Sequence, residues 1–115
     1  MKNIYSNILK VNNSVLSKAI NCLKKKELVG VPTETVYGLA GNAYSTKSVK
    51  KIYRLKKRPF NNPLIIHYYN LKHLKNDVEF NNNFFKLYKK FSPGPITFIL
   101  KKKKILNYLM LLQQN

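Results

Sequence analysis

Tryptophan is absent from this 115-residue chain, cysteine occurs once, glycine four times, and acidic residues number four. Each scarcity excludes something. A single Cys22 forbids an internal disulfide, so the chain is expected to rely on a packed core in a reducing compartment. With so few carboxylates, a metal site built from protein ligands alone is not expected. The sequence also lacks a phosphate-binding Gly-x-x-x-x-Gly-Lys loop, a Gly-x-Gly-x-x-Gly turn, a Cys-x-x-Cys pair and a His-Glu-x-x-His helix. No apolar run is long enough to span a bilayer, and the start "MKNIYSNILKVNN" lacks the apolar stretch of a secretory signal. The expectation is a cytoplasmic protein with no membrane partner.

What the chain has in excess is positive charge. Twenty-two Lys and Arg stand against Glu27, Glu34, Asp77 and Glu79, for a net charge of +18. One reading is a polyanionic partner, RNA or a nucleotide, drawn in by a long-range field. The other is compositional. Only Arg54 and Arg58 are arginine, and abundant Lys, Asn, Ile, Tyr and Phe are what an AT-rich coding sequence produces, so much of the lysine reads as solvated surface. Charge alone leaves both readings open. The length suits one domain, and 44% hydrophobic residues permit a small core.

Periodicity divides the chain into alternating elements. "NSVLSKAINCLKK" puts Val15, Leu16, Ala19, Ile20 and Leu23 on one helical stripe, with Asn13 or Ser14 as the expected cap. "ELVGV" (27–31) reads as a buried strand running into Pro32, and "LAGNAY" as a second strand or an extended turn. "STKSVKKIYRLKKR" (45–58) reads as a helix capped by Ser45 and stopped by Pro59, with Val49, Ile52, Tyr53 and Leu55 inward. "PLIIHY" (63–68) and "ITFIL" (96–100) read as buried strands, and "NNFFKLYKKF" (82–91) as a helix. Strands alternating with helices argue for an α/β fold, here one twisted, open, mixed sheet with packed helices. Strands at 28–31, 64–68 and 96–100 are expected to share that sheet, with Val29, Ile65, Ile66 and Ile99 buried. The last fifteen residues, "KKKKILNYLMLLQQN", differ: four lysines precede a segment apolar nearly all round, whose pattern specifies no docking face.

Three segments carry residue types that handle nucleotides and small acids. In "PTETVYGLAG", Thr33 and Thr35 bring hydroxyls and the glycines allow close approach of backbone, at the end of a strand where α/β folds tend to bind ligands. In "KKRPFNNP" (56–63), Lys56 offers a point charge, Arg58 a planar fork for phosphate oxygens, and Asn62 an amide that both donates and accepts. His67 ends an apolar strand, where its imidazole can meet a carboxylate. Each also has a bland reading: turn hydrogen bonds for the threonines, a solvated helix end for Lys56 and Arg58, a satisfied core histidine for His67.

Taken together, "VPTETVYGLAGNA", "IYRLKKRPFNNPLIIH" and "FSPGPITFIL" resemble, in order, spacing and identity, the YrdC-like family of L-threonylcarbamoyl-AMP synthases. The resemblance covers residues 13 to about 100, the residues from 101 to 115 remaining unaligned. It implies an ATP-dependent nucleotidyltransferase that joins L-threonine, bicarbonate and ATP into threonylcarbamoyl-AMP and pyrophosphate, for modification of an adenosine beside the anticodon of certain tRNAs. It carries Thr35 and His67 over to L-threonine binding, and Arg58, Asn62 and Lys56 to ATP binding. Magnesium is implied as an ion brought with ATP. Implied partners are tRNA or other RNA and proteins of the same modification pathway. No catalytic side chain and no protein-held metal is assigned. The family pattern continues past "PGPxT" with an arginine-containing strand and a Ser-x-Asn motif, and neither occurs in this chain. The expectation is therefore a partial YrdC-like domain over residues 1–115. Two functions follow: the synthase, or an inactive remnant with a basic cleft for RNA or nucleotide.

Overall fold

The computed structural model describes residues 7–103. The chain divides into two compact units between Phe60 and Asn61.

The first unit begins with helix α1, Asn13–Lys24. Asn12 caps it, its side-chain oxygen accepting from the Val15 N–H at 2.9 Å, so the cap is Asn12 and neither the expected Asn13 nor Ser14. Its apolar stripe packs on strand β1, Val29–Val31. That stripe covers incompletely: Val15, Ala19 and Leu23 are half-buried, while Leu16 and Ile20 remain exposed. Strand β1 pairs antiparallel with β2, Gly38–Ala40, in the register Val29 to Ala40 and Val31 to Gly38. The six residues 32–37 form the connecting loop.

Helix α2, Thr46–Lys56, supplies the core. Ser45 caps it by accepting from the Ser48 N–H at 3.3 Å. Ser48, Val49, Ile52 and Tyr53 lie on one face and are buried, each large apolar side chain contributing roughly 1.5–3 kcal/mol. Leu55, expected inward, is instead exposed, although it lies within about 60° of buried Ile52 around the helix. Gly41 lies where a Cβ would approach the Leu28, Ile52 and Ser48 side chains, so a bare α-carbon lets the exit of β2 lie against α2.

The second unit opens with an extended run over residues 64–68, followed by α3, Leu71–Asp77, and β3, Val78–Glu79. Helix α4, Asn82–Phe91, is capped by Asn81, which accepts from the Phe84 N–H at 2.8 Å. Another extended run, 96–100, leads to β4, Lys101–Lys102. Strand β4 pairs antiparallel with β3, Val78 opposite Lys102. Phe84 is the hub of the core, its ring 4.9 Å from those of Phe80 and Phe98 and 5.6 Å from that of Tyr88. A second tie runs through buried Asp77, whose carboxylate accepts from the Tyr68 hydroxyl at 2.7 Å and whose carbonyl accepts from the Lys103 N–H at 2.8 Å.

The α/β character expected from the sequence is present, but one shared sheet is not. The described residues hold two separate two-stranded sheets. Residues 64–68 and 96–100 are extended without joining a ladder among those residues. Their burial alternates with a period of two: Leu64, Ile66 and Tyr68 are half-buried, as are Ile96, Phe98 and Leu100. Of the expected buried residues, Val29 and Ile66 are half-buried, whereas Ile65 is 67% and Ile99 98% exposed. The reason is geometric, since adjacent side chains of an extended chain point to opposite faces and only one face is covered here. The expectation for the apolar stretch after Lys104 falls outside the described residues.

Candidate functional site

The loop between β1 and β2 is organised by its own first threonine. The Thr33 hydroxyl donates to the Val36 carbonyl and accepts from the Val36 and Thr35 N–H groups, at 3.2 and 3.4 Å. That is a side-chain-stabilised turn, and it occupies Thr33 internally. Thr35 is left exposed at the tip, its hydroxyl without a partner among the described residues, beside exposed Glu34, Val36 and Tyr37. Of the two threonines, one builds the loop and the other is presented by it.

The basic turn is built by the way α2 ends. Lys57 sits in the left-handed region, φ 49° and ψ 38°. The Lys57 N–H donates to the Arg54 carbonyl at 3.2 Å and the Arg58 N–H to the Tyr53 carbonyl at 3.0 Å. This pair of reversed hydrogen bonds closes the last turn and satisfies carbonyls that would otherwise lack donors. It also folds Arg58 back beside Tyr53. Tyr53 is 1% exposed, and its ring lies 4.9 Å from that of Phe60. Burial pushes the Tyr53 phenol above its ordinary pKa, while the charge of Arg58 pulls it the other way. Arg58 is half-buried and Lys56 exposed. The Arg58 backbone is thus fixed by the helix end, whereas Lys56 extends its ammonium on a flexible stem.

Asn62 and His67 belong to the start of the second unit, both exposed. His67 shares the outward face of the extended run with Ile65. It has no partner among the described residues, so the satisfied-core-histidine reading fails. The structure therefore brings Lys56 and Arg58 together on one helix end, puts Thr35 on the hairpin of the same unit, and puts Asn62 and His67 on one short run of the other. Tyr53, read from the sequence only as an inward residue, emerges as the anchor of Arg58. Its signal was present in "IYRLKKRPF", an aromatic five residues before an arginine at a helix stop.

The donor set is cationic and neutral: a hydroxyl, an amide, an imidazole, an ammonium and a guanidinium. Such groups meet phosphate and carboxylate oxygens, not a hard cation. Among the described residues no group of three His, Cys, Asp or Glu is placed to hold a metal, and no helix is long and apolar enough to cross a membrane.

Comparison with known proteins bears on what this donor set is for. The Sua5/YciO/YrdC family model, described as "Telomere recombination", matches residues 21–115. The threonylcarbamoyl-AMP synthase of Bacillus subtilis is 43% identical over 96 residues, covering 83% of this chain and 28% of the relative. That of Wigglesworthia glossinidia brevipalpis is 34% identical over 105 residues, covering 88% of this chain and 54% of the relative. Among solved structures, the crystal structure of Pyrococcus abyssi Sua5 complexed with L-threonine superposes with a TM-score of 0.81 at 34% identity, over 91% of this chain and 31% of that one. The chain thus spans about half or less of the length of these relatives.

Proposed function

The chain belongs to the Sua5/YciO/YrdC family, and on that footing we propose that it carries the threonine- and nucleotide-holding part of an L-threonylcarbamoyl-AMP synthase. The observation that carries this reading is the likeness to a relative whose structure holds L-threonine, joined to an arginine whose backbone is tied to that of a buried tyrosine at a helix end.

The chemistry accounts for the donor set. The threonine amine captures bicarbonate and loses water, giving a carbamate. A carbamate oxygen then attacks the α-phosphorus of ATP as the bond to the β-phosphate oxygen breaks and pyrophosphate leaves. Negative charge builds on the phosphate oxygens, and cations fixed in advance stabilise it more than mobile ones. Arg58 fills that role through its planar fork on a fixed backbone, with Lys56 as an adaptable second charge and Asn62 as a neutral hydrogen-bonding group on the nucleotide. Thr35 and His67 hold threonine, the hydroxyl by hydrogen bonding and the imidazole by meeting the carboxylate. Magnesium enters as part of the metal–ATP substrate, held by phosphate oxygens, which suits a chain poor in carboxylates. The adenylate product serves threonylcarbamoylation of a tRNA adenosine, so tRNA, the pathway's other proteins and a cytoplasmic setting belong to this proposal.

Binding tests it most directly. ATP affinity, measured by calorimetry with magnesium present, should fall about 10-fold to 100-fold in Arg58→Ala, the scale of a lost charge-assisted contact. Threonine affinity should fall in Thr35→Val and His67→Ala with ATP affinity kept. Pyrophosphate release on adding threonine, bicarbonate and magnesium–ATP, abolished in Arg58→Ala, is the expected activity. ATP binding indifferent to Arg58 would overturn the assignment.

A further inference from the structure

Of the four carboxylates in the chain, Asp77 alone is buried, at 5% exposed, and the chemistry proposed above does not use it. Its position is otherwise unfavourable. It is the last residue of α3, where the helix dipole disfavours an anion, and a buried carboxylate is costly unless hydrogen bonds compensate it. The Tyr68 hydroxyl supplies compensation, donating to Asp77 Oδ2 at 2.7 Å. The end of α3 is itself clasped to the exit of β4. There the Lys103 N–H donates to the Asp77 carbonyl at 2.8 Å, and the Lys103 ammonium to the Lys75 carbonyl at 2.7 Å. Asp77 is thus a fixed acceptor, and Tyr68 is fastened to it.

Tyr68 ends the extended run 64–68, and His67 precedes it. Leu64, Ile66 and Tyr68 are half-buried, while Ile65 and His67 are exposed. Apolar burial selects that face, because alternate residues of an extended chain share one side. It does not select the register. A slide by two residues would keep the same face covered and move His67 by about 7 Å. The run joins no ladder among the described residues, so no ladder there sets the register either. The directional bond from Tyr68 to Asp77 does.

We infer that Asp77 is a positioning residue for threonine: through Tyr68 it fixes where along the run the His67 imidazole is presented. The inference rests on the proposed role of His67 as the partner of the threonine carboxylate. Asp77 itself touches no substrate. A merely structural pair would weaken threonine and ATP binding alike when broken, whether or not His67 were present. A positioning pair acts on threonine alone, and only through His67.

Calorimetry on the 115-residue chain, with L-threonine and magnesium–ATP as ligands, separates the two. Tyr68→Phe removes only a hydroxyl and should weaken threonine binding about 5-fold to 10-fold, the scale of one hydrogen bond, with ATP affinity unchanged. Asp77→Asn keeps an oxygen acceptor for Tyr68 and should hold threonine affinity within about 3-fold. Asp77→Leu should match the Tyr68→Phe loss. Tyr88→Phe, which removes a hydroxyl elsewhere in the unit, should change nothing. In a His67→Ala background, Tyr68→Phe should have no further effect on threonine, since residues that act through one another are not additive. Full additivity, or an equal loss of ATP affinity, would overturn the inference.

Histidine ring NMR distinguishes its failure from failure of the synthase reading. The chain has two histidines, and His67→Ala assigns their signals. Without any ligand, Tyr68→Phe should move the His67 ring signal and leave that of His73 in place. A His67 signal that does not move overturns the positioning role. Threonine affinity indifferent to His67→Ala, with the ring signal still moved by Tyr68→Phe, overturns the threonine assignment instead.

Discussion

The Arg58 N–H donates to the Tyr53 carbonyl across 3.0 Å, so the residue assigned to the nucleotide phosphates is tied by its backbone to the most deeply packed aromatic of the first unit. The Arg58 backbone takes its placement from a helix end. Stability of that end and function of that arginine are therefore linked, and Lys57 is the link.

Lys57 adopts φ 49°, a region where a side chain costs about 1–2 kcal/mol that glycine avoids. Lys57→Gly should raise stability in urea by about 0.5–1 kcal/mol once the greater freedom of unfolded glycine is offset, with ATP affinity kept. Lys57→Val, β-branched and ill suited to that region, should lower stability by about 1–2 kcal/mol and weaken ATP binding as Arg58 loses its brace. Destabilisation by the glycine would argue against the turn as described.

Two glycines are tight for different reasons, and their alanine variants should rank accordingly. A Cβ at Gly94 would collide with the backbone oxygen of Phe91, which has no rotamer to change. A Cβ at Gly41 would meet the ends of the Leu28 and Ile52 side chains, at 2.8 and 3.2 Å, and these can swing. Gly94→Ala should therefore cost about 2–3 kcal/mol and Gly41→Ala about 1 kcal/mol, by urea denaturation. The reverse order would mean that the core beside α2 is the stiffer of the two.

Glu27 should give the stability a specific acid dependence. Its hydrogen bond and charge interaction with Lys51 hold the carboxyl below its ordinary value of 4.5. A carboxyl lowered in the folded state adds stability that is complete above the unfolded value and disappears as pH falls through the lowered one. The stability difference between the native chain and Glu27→Gln should thus be present near neutrality and close progressively below pH 4.5. Both partners are partly solvated, so added salt should narrow the difference at neutral pH. A difference that widened on acidification would contradict the pairing.

Local order was legible from the residues alone. Ser45 as a cap, Pro59 as a stop and the 82–91 helix follow from capping chemistry and a 3.6-residue period, which act within a few residues. Helix α3, seven residues led by capping Asn70, was not foreseen, since two leucines make too brief a stripe. The cationic and hydroxyl residues of the candidate site were likewise visible as types in order. What those types do was decided by contacts. Thr33 turned inward to build its loop, leaving Thr35 as the presented hydroxyl, and Tyr53 became the brace of Arg58. Residues 64–68 and 96–100 have an extended chain's alternation, yet they form no ladder with other described residues. A ladder needs a neighbour brought from elsewhere in the chain, and no pattern internal to five residues can name that neighbour or say which of the two faces it will cover.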